Sequence, residues 1–235
     1  MHIKQPPFSK FSVVFGMLHI QNFKYLWYSK SEFRRFSPKL KIGVLASGKG
    51  TNFQELINLS EKGELDIDIK VLITNKDDAG CIKRAESKKI PHKIIRGKDF
   101  LQKEAFELEI VNTLIHYDVE LVVMAGWMKI VTPFFINKFK NKIINIHPSL
   151  LPAYKGGSAI KDSILNGSKI TGCSVHFVEE EVDSGSLIMQ AALSIRDDDD
   201  IESLSKRIQM LEHKILPHSI SQAGFLIRSN FMENY

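Results

Sequence analysis

The run Ile143–Pro152, IINIHPSLLP, sets an amide and an imidazole two residues apart at the end of an apolar stretch. If Lys142–His147 forms a strand, side chains two apart share a face, so Asn145 and His147 point the same way. An amide and an imidazole aimed together from a strand end can hold a polarised carbonyl oxygen and pass a proton. Pro148 cannot donate to a sheet ladder, and it biases His147 towards extended backbone. Asp183, in EEEVDSG, lies between two strand candidates. Loop acids before a glycine are commonly turn formers, but a carboxylate beside His147 would favour the charged imidazole. His176, two residues after Ser174 in an alternating stretch, reads as a structural residue rather than a catalyst. Glu212-His213 could reach a ligand, against the default of a solvated helix face.

A second chemical signal is SGKGTN, Ser47–Asn52, between an apolar run and a helical pattern. Its two glycines let backbone amides approach a ligand, and the start of a helix favours an anion such as phosphate. The loop departs from GxxxxGK[ST] and lacks the third glycine of GxGxxG, which disfavours a nucleoside triphosphate or NAD.

The elements that must carry these residues alternate. KIGVLAS is a strand, Phe53, Leu56, Ile57 and Leu59 have helical spacing, IDIKVLITN is a strand, AGCIKRAESKK a helix and HKIIRG a strand. A long helix follows over about 100–117, then the continuous apolar strand VELVVMAG, of the type buried on both faces. Thr132 caps a short helix with Pro133 in its first turn. KIINIH is the next strand, Ser158–Gly167 a helix closed by Asn166-Gly167, KITGCSVHFVEE an alternating strand, and SLIMQAALSI its hairpin or crossover neighbour. Asp197–Asp200 suits a helix N-terminus, and ESLSKRIQMLEHKIL is a final helix expected to end at Pro217. The pattern predicts one α/β domain: a doubly wound, mostly parallel sheet with helices on both faces and a Rossmann-type N-terminal half. In such sheets ligands bind beyond the carboxyl ends of the strands. Ser47–Asn52, Gly126–Val131, Asn145–Pro152 and Glu179–Gly185 all fall at strand ends.

The chain has 235 residues and a formal charge of +5, but the basicity is local. Residues 1–39 carry seven Lys or Arg against Glu32, leaving 25 basic and 26 acidic residues in 40–235. A nucleic-acid-binding body is therefore disfavoured. Cys81 and Cys173 have no metal-type spacing and fit reduced thiols in a cytosolic setting. No stretch approaches the roughly 20 apolar residues of a membrane span. Residues 1–39 are expected to be a poorly ordered basic extension. A degenerate transit peptide and a misassigned start, with Met17 as an internal alternative, remain open. The domain is expected over 40–228, with a tail at 229–235.

With SGKGTN, AGWMKIVTP, NIHPSLLP, SVHFVEEEVDSG and LEH in this order and approximate spacing, the chain resembles the phosphoribosylglycinamide formyltransferase family over roughly 40–228. NIHPSLLP with a downstream Asp is shared by the wider group of formyltetrahydrofolate hydrolases and transferases; SGKGTN is the narrower signal. The resemblance implies that Gly50, Thr51 and Asn52 bind the phosphate of the ribonucleotide and Glu212 its ribose hydroxyls. It implies that Met128, Lys129, Ile130 and Val131 line the folate site, that Lys103 contacts the folate, and that Asn145, His147 and Asp183 are catalytic. Two positions depart from the family pattern. Lys129 stands where many relatives have Arg, and Ile160 where many have His.

The implied reaction is attack of the substrate amine on the formyl carbon of the co-substrate 10-formyltetrahydrofolate, with no metal. The implied partners are small molecules rather than nucleic acid or membrane, for a monomer or homodimer in the cytoplasm. Two rivals share the formyl chemistry. Formyltetrahydrofolate deformylase is expected to carry a regulatory domain for which residues 1–39 are too few. Methionyl-tRNA formyltransferase is expected to carry a basic C-terminal domain, and SGKGTN speaks against both. A third rival, a non-catalytic folate- or nucleotide-binding protein, is opposed by the intact Asn145, His147 and Asp183.

Overall fold

The structure, a computed structural model, describes residues 33–229. Short apolar runs become strands β1 (Leu40–Leu45), β2 (Ile67–Thr74), β3 (His92–Ile94), β4 (Leu121–Met124) and β5 (Ile143–His147). Two more, β6 (Ile170–Phe177) and β7 (Leu187–Ser194), follow. Between them run α1 (Thr51–Glu61), α2 (Gly80–Ser87), α3 (Lys103–His116), α4 (Pro133–Lys138), α5 (Ala159–Leu165) and α6 (Ile201–Arg228). The strands form one sheet of order β3-β2-β1-β4-β5-β6-β7. Pairing is parallel from β3 to β5 and antiparallel for β5–β6 and β6–β7. The expected α/β architecture is thus present, and SLIMQAALSI is the hairpin partner of β6.

Alternation along the strands feeds two cores. Ile42, Val44, Ile144 and Ile146 face the side covered by α1, α2, α5 and α6. Leu45, Val71, Ile73, Val122 and Ile143 face α3 and α4 through Phe106, Ile110, Leu114 and Phe135. Among the described residues no helix is long and apolar enough to cross a membrane.

Four local expectations are corrected. The helix expected from about residue 100 begins at Lys103, because Gly97–Asp99 forms a separate 3-10 turn. Thr132 does precede α4 with Pro133 in its first turn, but its side chain caps nothing. Its hydroxyl and its amide both bond the buried carboxylate of Glu107 instead, the amide at 2.8 Å, tying α4 to α3. The last helix does not stop at Pro217 but runs to Arg228. Proline removes one backbone bond there, and burial of Ile220, Ala223 and Gly224 holds the helix beyond it.

That burial involves residues 33–39, expected to belong to a loose extension. Phe33 stacks on His218 with ring centroids 4.5 Å apart, the Arg34 amide donates to Ser221 Oγ, and the Arg34 guanidinium covers the Phe225 ring. Phe36 and Leu40 press on Gly224 so closely that a Cβ there would lie 2.5 Å from Leu40 Cδ2. Arg228 closes the strap, donating to the carbonyls of Pro38 and Lys39 and to Glu120. Residues 1–32 and 230–235, with the rest of the expected extension and tail, lie outside the described residues.

Candidate active site

β1, β4 and β5 are neighbours in the sheet, so the loops at their carboxyl ends open into one cavity of about 510 Å³. The loop after β1 is held from two sides. Ser47 receives the Met128 amide on its hydroxyl at 3.0 Å and donates its own amide to the Gly126 carbonyl, also at 3.0 Å. Beneath, the Cys81 amide donates to the Gly48 carbonyl and Arg84 Nε to the Lys49 carbonyl. Gly50, with φ +69°, precedes α1, and a Cβ there would sit 2.5 Å from that of Cys81. Only glycine combines this left-handed backbone with that approach. The first-turn amides of α1 have no partner within the helix, and Gly50, Thr51 and Asn52 all line the cavity. The glycine loop read from SGKGTN thus leads into a helix N-terminus that opens on the cavity.

Asn52 connects this loop to α6: its Nδ2 donates to Glu212 Oε2 at 2.8 Å, while its buried Oδ1 has no partner. Glu212 also lines the cavity. Burial pushes its carboxyl above the ordinary range, and the Asn52 amide offsets only part of that.

On β5, Asn145 and His147 do share a face and both reach the cavity. Antiparallel pairing sets His176 of β6 opposite Asn145, beside a bulge between Val175 and His176. Bulges re-aim side chains in this way. His176 Nδ1 donates to the Phe177 carbonyl at 2.7 Å, so in the neutral ring Nε2 accepts from Asn145 Nδ2 at 3.3 Å. Asp183, in the β6–β7 loop, arrives between the two histidines. Its Oδ2 is 3.4 Å from His147 Nδ1, its Oδ1 is 3.6 Å from His176 Nε2, and the Gly156 amide donates to Oδ2 at 2.8 Å. Burial alone would raise this carboxyl. The His176 and His147 imidazoles beside it and the N–H of Gly156 outweigh it and hold Asp183 below the ordinary carboxylate range. An enclosed carboxylate thus faces an imidazole that is itself only 5% exposed.

The loop after β4 supplies the apolar lip: Met128 and Ile130 are exposed, and Lys129 and Val131 line the cavity with them. Lys103 is different. It is the exposed first residue of α3 and is not among the cavity-lining residues. Ile160, on α5, adds a half-buried apolar wall.

His176, read as a structural residue, is buried with both ring nitrogens partnered, and its place beside Asn145 depends on the register of β5 against β6. Sequence reasoning missed Ser205 and Gln209, which line the cavity. These lie seven and three residues before Glu212, the helical spacing that places side chains on one face, so that signal was available. The arrangement offers an anion cradle, an amide positioned to donate to a developing oxyanion, and an imidazole–carboxylate pair able to move a proton.

A family described as Formyl transferase matches residues 40–220. The phosphoribosylglycinamide formyltransferase of Bacillus subtilis is 38% identical over 182 residues, covering 77% of this chain and 93% of that protein. A trifunctional purine biosynthetic protein adenosine-3 from Chironomus tentans is 42% identical over 185 residues; the match covers 78% of this chain but 14% of that longer protein. Among solved structures, the phosphoribosylglycinamide formyltransferase of Bacillus halodurans superposes with TM-score 0.75 at 37% identity, covering 77% of this chain and 94% of that one.

Proposed function

The chain belongs to the formyl transferase family, and from that premise we propose that it passes the formyl group of 10-formyltetrahydrofolate to the amine of 5′-phosphoribosylglycinamide. The products are the N-formyl ribonucleotide and tetrahydrofolate, a step of purine biosynthesis. One observation carries the reading: the anion loop of β1 opens into the same cavity as Asn145, His147 and Asp183. Phosphate on the loop amides and ribose hydroxyls on Glu212 would hold the ribonucleotide. The folate would lie along Met128–Val131, where main-chain groups can read a pterin edge.

The amine nitrogen attacks the formyl carbon, and the carbonyl electron pair moves to oxygen. Asn145 has one amide hydrogen directed at His176 and a second free for that oxygen. A donor of this kind is worth about 3–4 kcal/mol of barrier. In its charged form His147 stabilises the same tetrahedral species, with the Asp183 carboxylate 3.4 Å from its Nδ1. Collapse breaks the bond to the folate nitrogen. The proton lost by the amine reaches that nitrogen through His147 and Asp183, by way of water. Both substrates are small molecules, the reaction needs no metal, and the enzyme is assigned to the cytoplasm as a monomer or homodimer.

The test is incubation of the pure protein with phosphoribosylglycinamide and 10-formyltetrahydrofolate, following the N-formyl product. Folate binding without product above background would refute transfer.

A further inference from the structure

We infer that the Tyr154–Gly156 turn is a positioning device: the main-chain carbonyl of Tyr154 keeps the proton of His147 on Nε2, so that Nδ1 is the nitrogen through which protons and the oxyanion contact pass. The inference rests on the proposed roles of His147 and Asp183. Its starting point is the 2.8 Å contact between His147 Nε2 and the Tyr154 carbonyl oxygen. A carbonyl can only accept, so Nε2 carries hydrogen in the neutral and the charged ring alike. Nδ1, facing Asp183 at 3.4 Å, is then the position that gains or loses a proton.

The same turn holds the other member of the pair, since the Gly156 amide donates to Asp183 Oδ2. One three-residue segment therefore sets both the tautomer of the imidazole and the place of the carboxylate. The segment is itself braced. Tyr154 sits at φ 54°, a left-handed conformation uncommon for tyrosine. Its hydroxyl meets Ser168 Oγ at 2.5 Å, and the Ala153 carbonyl accepts from Ser149 Oγ at 2.5 Å. Ser174 of β6 fixes the chain just before the turn, donating to the Ser149 carbonyl and accepting from the Leu151 amide. Metal-bound histidines are oriented by a backbone acceptor on the far nitrogen in the same manner, here with a carboxylate in front of the ring.

The proposal separates two substitutions at Tyr154. Asparagine tolerates the left-handed region, whereas a β-branched valine does not. Histidine-labelled full-length protein is compared by long-range proton–nitrogen NMR across the pH range of stability, alongside steady-state kinetics. In the wild type and Tyr154→Asn, neutral His147 is expected with Nε2 in the protonated range and Nδ1 in the unprotonated range. Tyr154→Val is expected to give a mixture of tautomers and a kcat at least about tenfold lower, equivalent to about 1.4 kcal/mol, at unchanged KM for the folate. If the ring stays charged throughout, the Nε2 proton itself is read: protected from solvent exchange in wild type, exchanging in Tyr154→Val. Neutral wild-type His147 protonated on Nδ1, a freely exchanging wild-type Nε2 proton, or a Tyr154→Val protein matching wild type would overturn the inference. The NMR signature does not depend on turnover. An inactive protein with the expected tautomer would count against formyl transfer alone, and an active one with the other tautomer against the turn alone.

Discussion

Asp183→Asn isolates the charge behind His147 with little disturbance of shape. Asp183 occupies φ 51°, and Asn is among the few residues that tolerate that region as well as Asp does. Unit charges 3.4 Å apart attract by about 5 kcal/mol at an effective dielectric constant of about 20. The pair is enclosed, with side chains 7% and 9% exposed, so bulk screening removes little. If the neutral amide and a relaxed imidazole recover somewhat under half, about 3 kcal/mol is lost, or about a hundred- to two-hundredfold in kcat. Turnover is measured with both substrates saturating, and folate binding by quenching of Trp127, which lines the cavity. A kcat within fivefold of wild type would refute the electrostatic role assigned to Asp183. Stability supplies a second sign. A carboxyl held below its ordinary pKa contributes stability that is present above about pH 4 and lost as pH falls through the folded value. Wild type should therefore outlast Asp183→Asn in thermal unfolding at pH 7, with the gap closing towards pH 3.

Glu212→Gln should have the opposite pH signature. Its raised carboxyl contributes stability below about pH 4 that is lost as pH rises through the folded value, so the variant should melt higher than wild type at pH 8 and level with it at pH 4. Its affinity for the ribonucleotide should meanwhile fall at least about tenfold, the scale of a lost bond to a charged group. Lys103→Gln should leave the folate KM within about twofold, because Lys103 stands off the cavity, while Lys129→Gln should raise it several-fold, the scale of one exposed charge pair; equal effects would show that Lys103 swings into the site. Phe36→Ala removes a ring packed against Gly224 and Arg228. It should cost about 3 kcal/mol, lowering the melting point by about 6–12 °C with turnover at 25 °C unchanged. A shift under about 2 °C would mean that the strap adds no stability.

What could be read from sequence was local. The strand–glycine loop–helix of 41–61 and the shared face of Asn145 and His147 follow from periods of 3.6 and 2, and both are present. His176 could not be weighed in this way. Its role comes from a strand register and a bulge, which couple residues 31 apart in the chain. Pro217 misled for the complementary reason: proline is locally unfavourable in a helix, but packing by residues nearly 190 positions earlier overrides it. The same long-range contacts hid the order of residues 33–39, which have no periodic pattern of their own. Lys103 was carried over from the resemblance by its position alone, and a position does not say which way the first turn of a helix faces.

The sheet also divides the site according to how its parts are assembled. The glycine loop after β1 and the apolar lip after β4 hang from parallel strands, whose pairings close only through helical crossovers. His176 and Asp183 belong to the β6–β7 hairpin, which is closed by its own loop rather than by a helical crossover. An excursion that frees this hairpin, leaving β1 and β4 paired, would strip the carboxylate and the second imidazole from Asn145 and His147 while the glycine loop after β1 stays intact. Under the proposed function, the protein would then bind the ribonucleotide reversibly without chemistry. The protection factors of β6 and β7 amides, set against those of β1, would give its population.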